Sequence, residues 1–191
     1  MCPTSVSASP FSADHPIRVV LADDSAVVRG LLTRVLQEDP AIRVIGTAGN
    51  GENAIKTAQE ERPDILILDI EMPIMDGLTA LPKILQASPT TKVLMCSTLS
   101  LRNADVTLKA MEMGATDAIA KPTAAGHIIS ADSDFKHTLI DMVKQIAIAA
   151  KRRALAHSSP SSPGLAPPPT GGGRAGPTRL STAPRPLYAP G

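Results

Sequence analysis

Short apolar runs alternate with amphipathic segments through most of the 191-residue chain. Five of these runs predict strands at about 17–22, 42–48, 64–68, 92–96 and 116–120, and the first of them is rich in β-branched residues. The third run is apolar at every position from Ile65 to Leu68, which is typical of a parallel strand buried on both faces. The pattern therefore indicates a parallel sheet with helical crossovers.

Apolar residues between the strands recur at helical spacing. Ser25 is a good N-cap for the first helix, and Pro40 ends it. The apolar face of this helix consists of Val28, Leu31, Leu32, Val35 and Leu36. Further helices are predicted over about 51–61 and 77–87, the latter despite Pro82. The fourth helix is expected to face inward through Leu101, Ala104, Leu108 and Met111. The last, over about 134–153, is expected to bury Leu139, Val143, Ile146 and Ala150.

Five strands that alternate with five helices predict an α/β fold. Right-handed crossovers and short connections favour a flavodoxin-like (βα)5 doubly wound parallel sheet with strand order 2-1-3-4-5. This domain is expected to span residues 16–153. Residues 1–15 are rich in Ser, Pro and Ala and predict a disordered leader. Residues 154–191 hold half of the chain's 18 prolines and three consecutive glycines, which predicts a disordered, flexible linker or tail.

Charge and composition exclude several classes of function. The net charge of +1 combines a body of net charge −2 (16 basic minus 18 acidic groups in residues 1–153) with a tail that has three arginines and no acid. An acidic body with only two Phe and one Tyr offers neither a basic face nor a stacking platform for nucleic acid. No apolar run approaches the roughly 18–20 residues that span a bilayer, and no secretory signal is recognisable. The two cysteines, Cys2 and Cys96, form no disulfide framework, which favours a cytoplasmic protein.

Polar side chains occupy the carboxyl ends of the predicted strands, where open α/β sheets bind their ligands. The residues at these ends are Asp23, Asp24, Asp69, Ser97, Thr98 and Lys121. Neighbouring carboxylates raise one another's pKa values unless a cation intervenes, and Mg²⁺ is the hard cation that best suits such oxygen ligands. A carboxylate can attack phosphorus, and Mg²⁺, an ammonium and a hydroxyl can meet the charge of the transferring group. The set is therefore suited to phosphoryl transfer.

Each of these residues also has a purely structural interpretation. Asp23 and Asp24 could favour the N-terminus of the following helix, and Asp69 could form a turn. The hydroxyl residues could cap a helix, and Lys121 could be a solvated strand end. Their joint placement at one end of one sheet favours the functional interpretation.

These same residues resemble the receiver domain of response regulators over about residues 16–150. The matching motifs are Asp23-Asp24-Ser25, the segment DIEMPIMDG from Asp69 to Gly77, Ser97, and Lys121-Pro122. The resemblance implies that Asp69 is the phospho-acceptor and that a histidine kinase is the phosphodonor.

The same resemblance assigns the remaining roles in the site. It implies that Asp24, Asp69 and the backbone carbonyl of Glu71 bind Mg²⁺ directly and that Asp23 binds it through water. Ser97, Thr98 and Lys121 then stabilise the phosphoryl group and act in the switch. The bond before Pro122 is implied to be cis.

A narrower resemblance joins the chain to the regulatory half and linker of the chemotaxis protein-glutamate methylesterases. It is carried by EMPIMDGL at 71–78, CSTLS at 96–100 and AKPT at 120–123. It implies an output through a methylesterase domain and possible contact with chemoreceptors. No G-x-S-x-G serine motif occurs in these 191 residues, so no independent enzyme is expected beyond self-phosphorylation and dephosphorylation.

Other functions fit parts of the pattern. Receivers commonly have an aromatic switch residue three positions before the lysine, where this chain has Ala118. A stand-alone receiver or binding module that acts by protein contact is one alternative. An aspartate-nucleophile phosphohydrolase is another, although Asp69-Ile70-Glu71 imitates its Asp-x-Asp arrangement only weakly. A flavin-binding flavodoxin relative would need a phosphate loop and aromatic stackers that the sequence lacks.

Overall fold

The computed structural model describes residues 11–98, 101–121 and 133–158, which form five strands and five helices. The strands are β1 (Ile17–Ala22), β2 (Ile42–Ala48), β3 (Ile65–Asp69), β4 (Lys92–Thr98) and β5 (Asp117–Lys121). The helices are α1 (Ala26–Leu36), α2 (Gly51–Glu61), α3 (Gly77–Ala87), α4 (Leu101–Glu112) and α5 (Ser133–Ser158). Within the described ranges no helix is long and apolar enough to cross a bilayer.

All strand pairs are parallel, and their order is β2-β1-β3-β4-β5. This order confirms the predicted flavodoxin-like fold. β3 lies at the centre of the sheet, and its five residues are all buried. Register pairs Ala22 at the end of β1 with Leu68, and Asp69 with Cys96 in β4. The carboxyl ends of β1, β3 and β4 are therefore level with one another.

Two hydrophobic clusters cover the two faces of the sheet. Ile65 and Ile67 of β3 belong to one cluster, whereas Leu66 and Leu68 belong to the other. This division follows from the alternation of side chains along a strand. The first cluster packs under α1 and α5, and the second packs under α2, α3 and α4. A strand buried on both faces explains why the sequence of β3 is apolar without interruption.

Three helices begin at this same end of the sheet with a capping side chain. Ser25 Oγ accepts a hydrogen bond from the backbone N–H of Val28 at 3.3 Å at the start of α1. Asn50 and Asp76 accept corresponding bonds of 2.8 Å and 2.7 Å at the starts of α2 and α3. The caps fix where each strand-to-helix loop ends, and so they hold the loops that carry the polar residues.

The predicted inward face of α4 is wrong where the structure describes it. Leu108 and Met111 are 62% and 39% exposed, whereas Ala110 is fully buried. Val106 and Met113 are partly buried against the core with Ala110. Both sets of residues have helical spacing, and the set that includes the small Ala110 allows the helix to approach the sheet closely. The side chains of Leu101 and Ala104 lie outside the described residues.

The final helix differs from its prediction in one buried position and in its end. Leu139, Val143 and Ile146 are buried as expected, but Ala147 is buried and Ala150 only partly so. The helix continues to Ser158 rather than ending near residue 153. No proline or glycine occurs between these two positions, so nothing in the sequence stops the helix earlier.

The N-terminal segment contacts the domain from Phe11 onward. Phe11 is partly buried against the cluster under α1 and α5, and the Nζ of Lys151 lies 4.7 Å from the centroid of its ring. Ser12 and His15 exchange two backbone hydrogen bonds of 3.1–3.2 Å. The last five residues of the predicted leader therefore include an apolar contact with the core.

Two glycine substitutions are expected to change stability in opposite directions. A Cβ on Gly77 would lie 2.0 Å from the backbone oxygen of Asp69, so Gly77→Ala must displace the loop after β3. A Cβ on Gly30, in the exposed middle of α1, would meet nothing within 4 Å. We expect Gly77→Ala to lower the free energy of unfolding by about 2 kcal/mol or more. Gly30→Ala should raise it by up to about 1 kcal/mol. Urea denaturation followed by circular dichroism checks both, and equal midpoints for the two variants would contradict the expectation.

The thiol of Cys96 is expected to be inert in the folded protein. Burial raises its pKa to about 12, and the side chain is 1% exposed. Because the thiolate is the reactive form, the thiol should react with DTNB at pH 8 far more slowly in buffer than in concentrated urea. The variant Cys2→Ser isolates this signal, since the chain has only two cysteines. Equal rates in buffer and in urea would show that Cys96 is accessible.

Candidate functional site

The structure brings the predicted acidic residues together at the carboxyl ends of β1 and β3. Asp23 and Asp24 follow β1, and Asp69 is the last residue of β3. Each of the three offers a carboxylate oxygen, and these oxygens all lie within 4.8 Å of one another. Asp23 and Asp69 are buried, whereas Asp24 is exposed. The cluster therefore combines two buried carboxyl groups with one that is accessible to solvent.

Lys121, the last residue of β5, reaches the two buried carboxylates. Its Nζ lies 2.5 Å from Oδ2 of Asp23 and 2.8 Å from Oδ2 of Asp69. All three side chains are at least nine-tenths buried. Two carboxylates that share one buried ammonium form a compact charged centre, and the exposed Asp24 adds a third carboxyl group beside it.

Burial and pairing shift the pKa values of this centre. Burial raises the pKa of Asp69, and the neighbouring charge of Asp23 adds to this effect, while the hydrogen bond from Lys121 opposes it. Burial alone would lower the pKa of Lys121, but its hydrogen bonds to Asp23 and Asp69 outweigh burial and raise it. Lys121 is therefore an ammonium at neutral pH, and its charge offsets the repulsion between the two acids.

Backbone contacts define the loop that carries Asp23 and Asp24. The N–H of Asp23 donates to the carbonyl of Ala48 at 3.0 Å, and its Oδ1 accepts from the N–H of Ser25 at 2.9 Å. Nη1 of Arg29 donates to the carbonyl oxygens of Asp23 at 2.6 Å and Asp24 at 3.1 Å. The sequence pattern does not distinguish Arg29, because an arginine on a helix is most often an ordinary solvated residue. The only available signal was its position five residues after the second acid.

The loop after Asp69 is unusually tight. The N–H of Met75 donates to the carbonyl of Pro73 at 2.7 Å, and Ile74 between them has a φ of 69°. This positive φ is strained for a β-branched residue. The N–H of Gly77 closes the loop onto the carbonyl of Ile70 at 2.9 Å. Gly77 is required here because its absent Cβ leaves room for the backbone oxygen of Asp69.

The remaining predicted residues lie near the cluster or outside the described ranges. Ser97 is buried at the end of β4, and Thr98 pairs in register with Lys121. Glu71 lies two residues after Asp69 with its side chain exposed. The side chain of Thr98 and the whole of Pro122, including its predicted cis bond, lie outside the described residues.

The acidic cluster fits a small divalent cation. Two oxygens bound to one Mg²⁺ lie about 3 Å apart when adjacent and about 4.2 Å apart when opposite, given Mg–O distances of about 2.1 Å. Oxygens that are at most 4.8 Å apart need only small adjustments to meet these values. The donor set of carboxylates is the hard oxygen type that Mg²⁺ prefers.

Removal of the shared ammonium is expected to destabilise the fold in a pH-dependent way. Lys121→Met leaves Asp23 and Asp69 buried without their partner, and it removes the hydrogen bond and the charge that hold the pKa of Asp69 down, so that pKa should rise further. When the pKa of an acid is higher in the folded than in the unfolded protein, the free energy of unfolding falls as the pH increases through the folded-state pKa. The loss of stability in the variant, relative to the wild type, should therefore be larger at pH 7 than at pH 5. We expect a loss of about 3 kcal/mol at pH 7 in EDTA, measured by urea denaturation.

A matched control for this variant is Lys109→Met, which removes an exposed lysine of α4. It should unfold like the wild type at both pH values. A Lys121→Met protein whose stability relative to the wild type is the same at pH 5 and pH 7 would contradict the role of Lys121 in neutralising buried acids.

Comparisons with known proteins agree with this geometry. The family model of the response regulator receiver domain matches residues 19–131. Protein-glutamate methylesterase/protein-glutamine glutaminase 1 of Rhodospirillum rubrum is 52% identical over 159 residues, which are 83% of this chain and 41% of that protein. Its counterpart from Paramagnetospirillum magneticum is 48% identical over 186 residues, which are 96% of this chain and 46% of that protein. The chain thus spans less than half the length of these relatives.

Solved structures give the same result. The response regulator domain of Thermotoga maritima CheB has a TM-score of 0.62 and 34% identity, and the match covers 69% of this chain and 96% of that one. A chain in the CheX-CheY-BeF3-Mg²⁺ complex of Borrelia burgdorferi has a TM-score of 0.52 and 30% identity, with coverage of 60% and 85%. The chain belongs to the response regulator receiver family, and its receiver domain is similar to the receiver part of the chemotaxis protein-glutamate methylesterases.

Proposed function

We propose that this receiver accepts a phosphoryl group on Asp69 from a histidine kinase in a Mg²⁺-dependent reaction. The observation that carries this proposal is the position of Asp69 among the other charged groups. Its carboxylate lies within 4.8 Å of those of Asp23 and Asp24, and 2.8 Å from the ammonium of Lys121. A nucleophile, oxygen ligands for a cation and a fixed positive charge are thus within reach of one another.

The transfer is a displacement at phosphorus. An oxygen of the Asp69 carboxylate attacks the phosphorus of a phosphohistidine on the kinase, the new O–P bond forms, and the N–P bond breaks. The imidazole leaves with the electron pair of the N–P bond and can be protonated by solvent. Bound Mg²⁺ supplies positive charge to the phosphoryl oxygens. Asp24, Asp69 and the backbone carbonyl of Glu71 are its proposed direct ligands, and Asp23 is proposed to bind it through water.

Asp69 is the proposed acceptor because the other two acids are differently placed. Asp23 lies in the loop after β1, where its Oδ1 accepts from the N–H of Ser25, and it shares Lys121 with Asp69. Asp24 is exposed to solvent. Asp69 ends the central strand, directly beside β4, where Ser97 and Thr98 could meet an incoming phosphoryl group. A position at the end of a central strand also couples the acceptor to both halves of the sheet.

Phosphorylation would change the charge balance at the centre. An aspartyl phosphate carries roughly two negative charges in place of the single charge of the carboxylate, and Lys121, Ser97 and Thr98 are the proposed groups that stabilise them. Lys121 already contacts Asp69, so its ammonium can pair with the phosphoryl group without leaving the site. The contact between the ammonium and the carboxylate of Asp23 then weakens, because the ammonium also pairs with the phosphoryl group. Because Ala118 stands at the usual aromatic switch position, we propose that the signal passes through β4 and α4 rather than through an aromatic rotation.

The similarity to methylesterases supports an output in chemotaxis adaptation. The relatives named above are more than twice as long as the part matched by this chain. We infer that the phosphorylated receiver regulates a methylesterase domain, with chemoreceptors as further partners in the cytoplasm. The coding sequence after residue 191 tests this inference, since a serine hydrolase domain is expected there and an unrelated output domain would contradict it.

The site assignment predicts a specific pattern of modification. Incubation with acetyl phosphate and Mg²⁺ should add about 80 Da, the mass of one phosphoryl group, to the wild-type protein. Asp69→Asn should gain no such mass, because an amide is not a nucleophile toward phosphorus. EDTA should also abolish the gain in the wild type. Intact-protein mass spectrometry measures all three results.

The matched control is Asp76→Asn, which changes an exposed acid in the same loop. Asn is as good an N-cap as Asp, so α3 should be unaffected. This variant should gain the phosphoryl mass like the wild type. A gain of about 80 Da by Asp69→Asn would show that another residue is the acceptor.

A further inference from the structure

Arg29 contacts the backbone of both acids that precede α1, although it is not a member of the acidic cluster. One nitrogen, Nη1, donates to the carbonyl oxygen of Asp23 at 2.6 Å and to that of Asp24 at 3.1 Å. Arg29 lies on the second turn of α1 and is partly buried. The side chain therefore folds back from the helix onto the loop that leads into it.

The two carbonyls need such a partner because of where they lie. β1 ends at Ala22 and α1 begins at Ala26, so Asp23 and Asp24 fall between the sheet ladder and the helix. Backbone carbonyls in this position have no regular partner, and a charged donor forms a stronger bond to them than a neutral one. Arg29 thus fixes the backbone from which two of the three carboxylates extend.

The guanidinium also lies beside the next loop of the same edge. Nη1 is 3.5 Å from the position that a Cβ on Gly49 would occupy. Gly49 precedes the Asn50 cap of α2, and the N–H of Gly51 binds the carbonyl of Met75 in the loop after Asp69 at 3.0 Å. Arg29 therefore lies where the loops after β1 and β2 meet, and the second of these loops is bonded to the loop of the acceptor.

We propose that Arg29 is a positioning residue for the cation site. It holds the Asp23-Asp24 backbone so that both carboxylates converge on Asp69 before the cation binds. This inference rests on the proposed Mg²⁺-dependent function. Without Arg29 the loop must be ordered at the moment of binding, and that ordering weakens the affinity for Mg²⁺. Loss of a group that orients metal ligands typically costs roughly 10- to 100-fold in affinity.

The positioning role of Arg29 and a simple effect of its charge predict opposite changes in the affinity for Mg²⁺. A cation close to the cluster repels Mg²⁺, so removal of the guanidinium would strengthen Mg²⁺ binding if charge alone mattered. A positioning role predicts the opposite result. The direction of the change in affinity therefore separates the two explanations.

The experiment compares Mg²⁺ binding by the wild type, Arg29→Met and Arg34→Met. Methionine keeps an apolar stem and removes the donors, and Arg34 is an exposed arginine on the same helix. Isothermal titration calorimetry with Mg²⁺ suits this chain, because it has no tryptophan to report binding by fluorescence. We expect Arg29→Met to raise the Kd by roughly 10-fold or more. Arg34→Met should stay close to the wild-type Kd. Arg29→Lys, which restores one charged donor, should lie between the wild type and Arg29→Met.

A structural role alone would change a different measurement. It would lower the urea midpoint in EDTA and leave the Kd for Mg²⁺ unchanged in the folded variant. A Kd for Arg29→Met that is equal to or lower than that of Arg34→Met overturns the proposal. If Arg29→Met does not fold, the comparison passes to Arg29→Lys, whose Kd must then exceed that of the wild type. A wild-type protein that binds no Mg²⁺ would instead overturn the proposed function.

Discussion

The pairing of Lys121 with two buried carboxylates is the interaction on which the rest of the site depends. Asp23 and Asp69 approach each other in a place where burial disfavours their charged forms. Repulsion between such groups would open the loops or protonate one acid. The ammonium opposes both, because it contacts each carboxylate within 2.8 Å. The domain thus holds the Asp69 carboxylate next to a buried ammonium at the end of its central strand.

Topology explains why these three residues meet although Lys121 is 98 positions from Asp23 along the chain. In the order β2-β1-β3-β4-β5 the strands that carry the three groups are β1, β3 and β5. β4 separates the last two, so the lysine must reach across the end of β4 to the acids. The parallel arrangement makes this possible, because all the carboxyl ends lie at one edge. Helix caps at the same edge then hold the loops in place.

Much of this could be predicted from the sequence, and the failures have physical causes. The sequence predicted the bounds of β1, β2, α2 and α3 as the structure has them, because compact apolar runs mark these strands and N-cap side chains mark the starts of these helices. The convergence of Asp23, Asp24, Asp69 and Lys121 followed from strand order. The orientation of α4 could not be predicted in this way. Leu108 and Ala110 lie on different faces of the helix, and each face has apolar residues at helical spacing. The contacts of Arg29 depend on side-chain direction, and the positive φ of Ile74 depends on loop closure, and neither leaves a pattern in the sequence.

The loops around the acids are more constrained than binding of a cation alone requires. The strained Ile74, the obligatory Gly77 and the contacts of Arg29 all restrict backbone freedom at the edge that carries Asp69. Such constraints cost conformational free energy that the packed core must supply. Under the proposed function they have a consequence. When the charge at Asp69 changes, loops that cannot relax locally must transmit the resulting displacement to the neighbouring elements. β4 is the nearest route, because it pairs with Asp69 through Cys96 and with Lys121 through Thr98. α4 is the helix that follows β4, so a displacement of that strand would also move the exposed side chains of Leu108 and Met111 on α4.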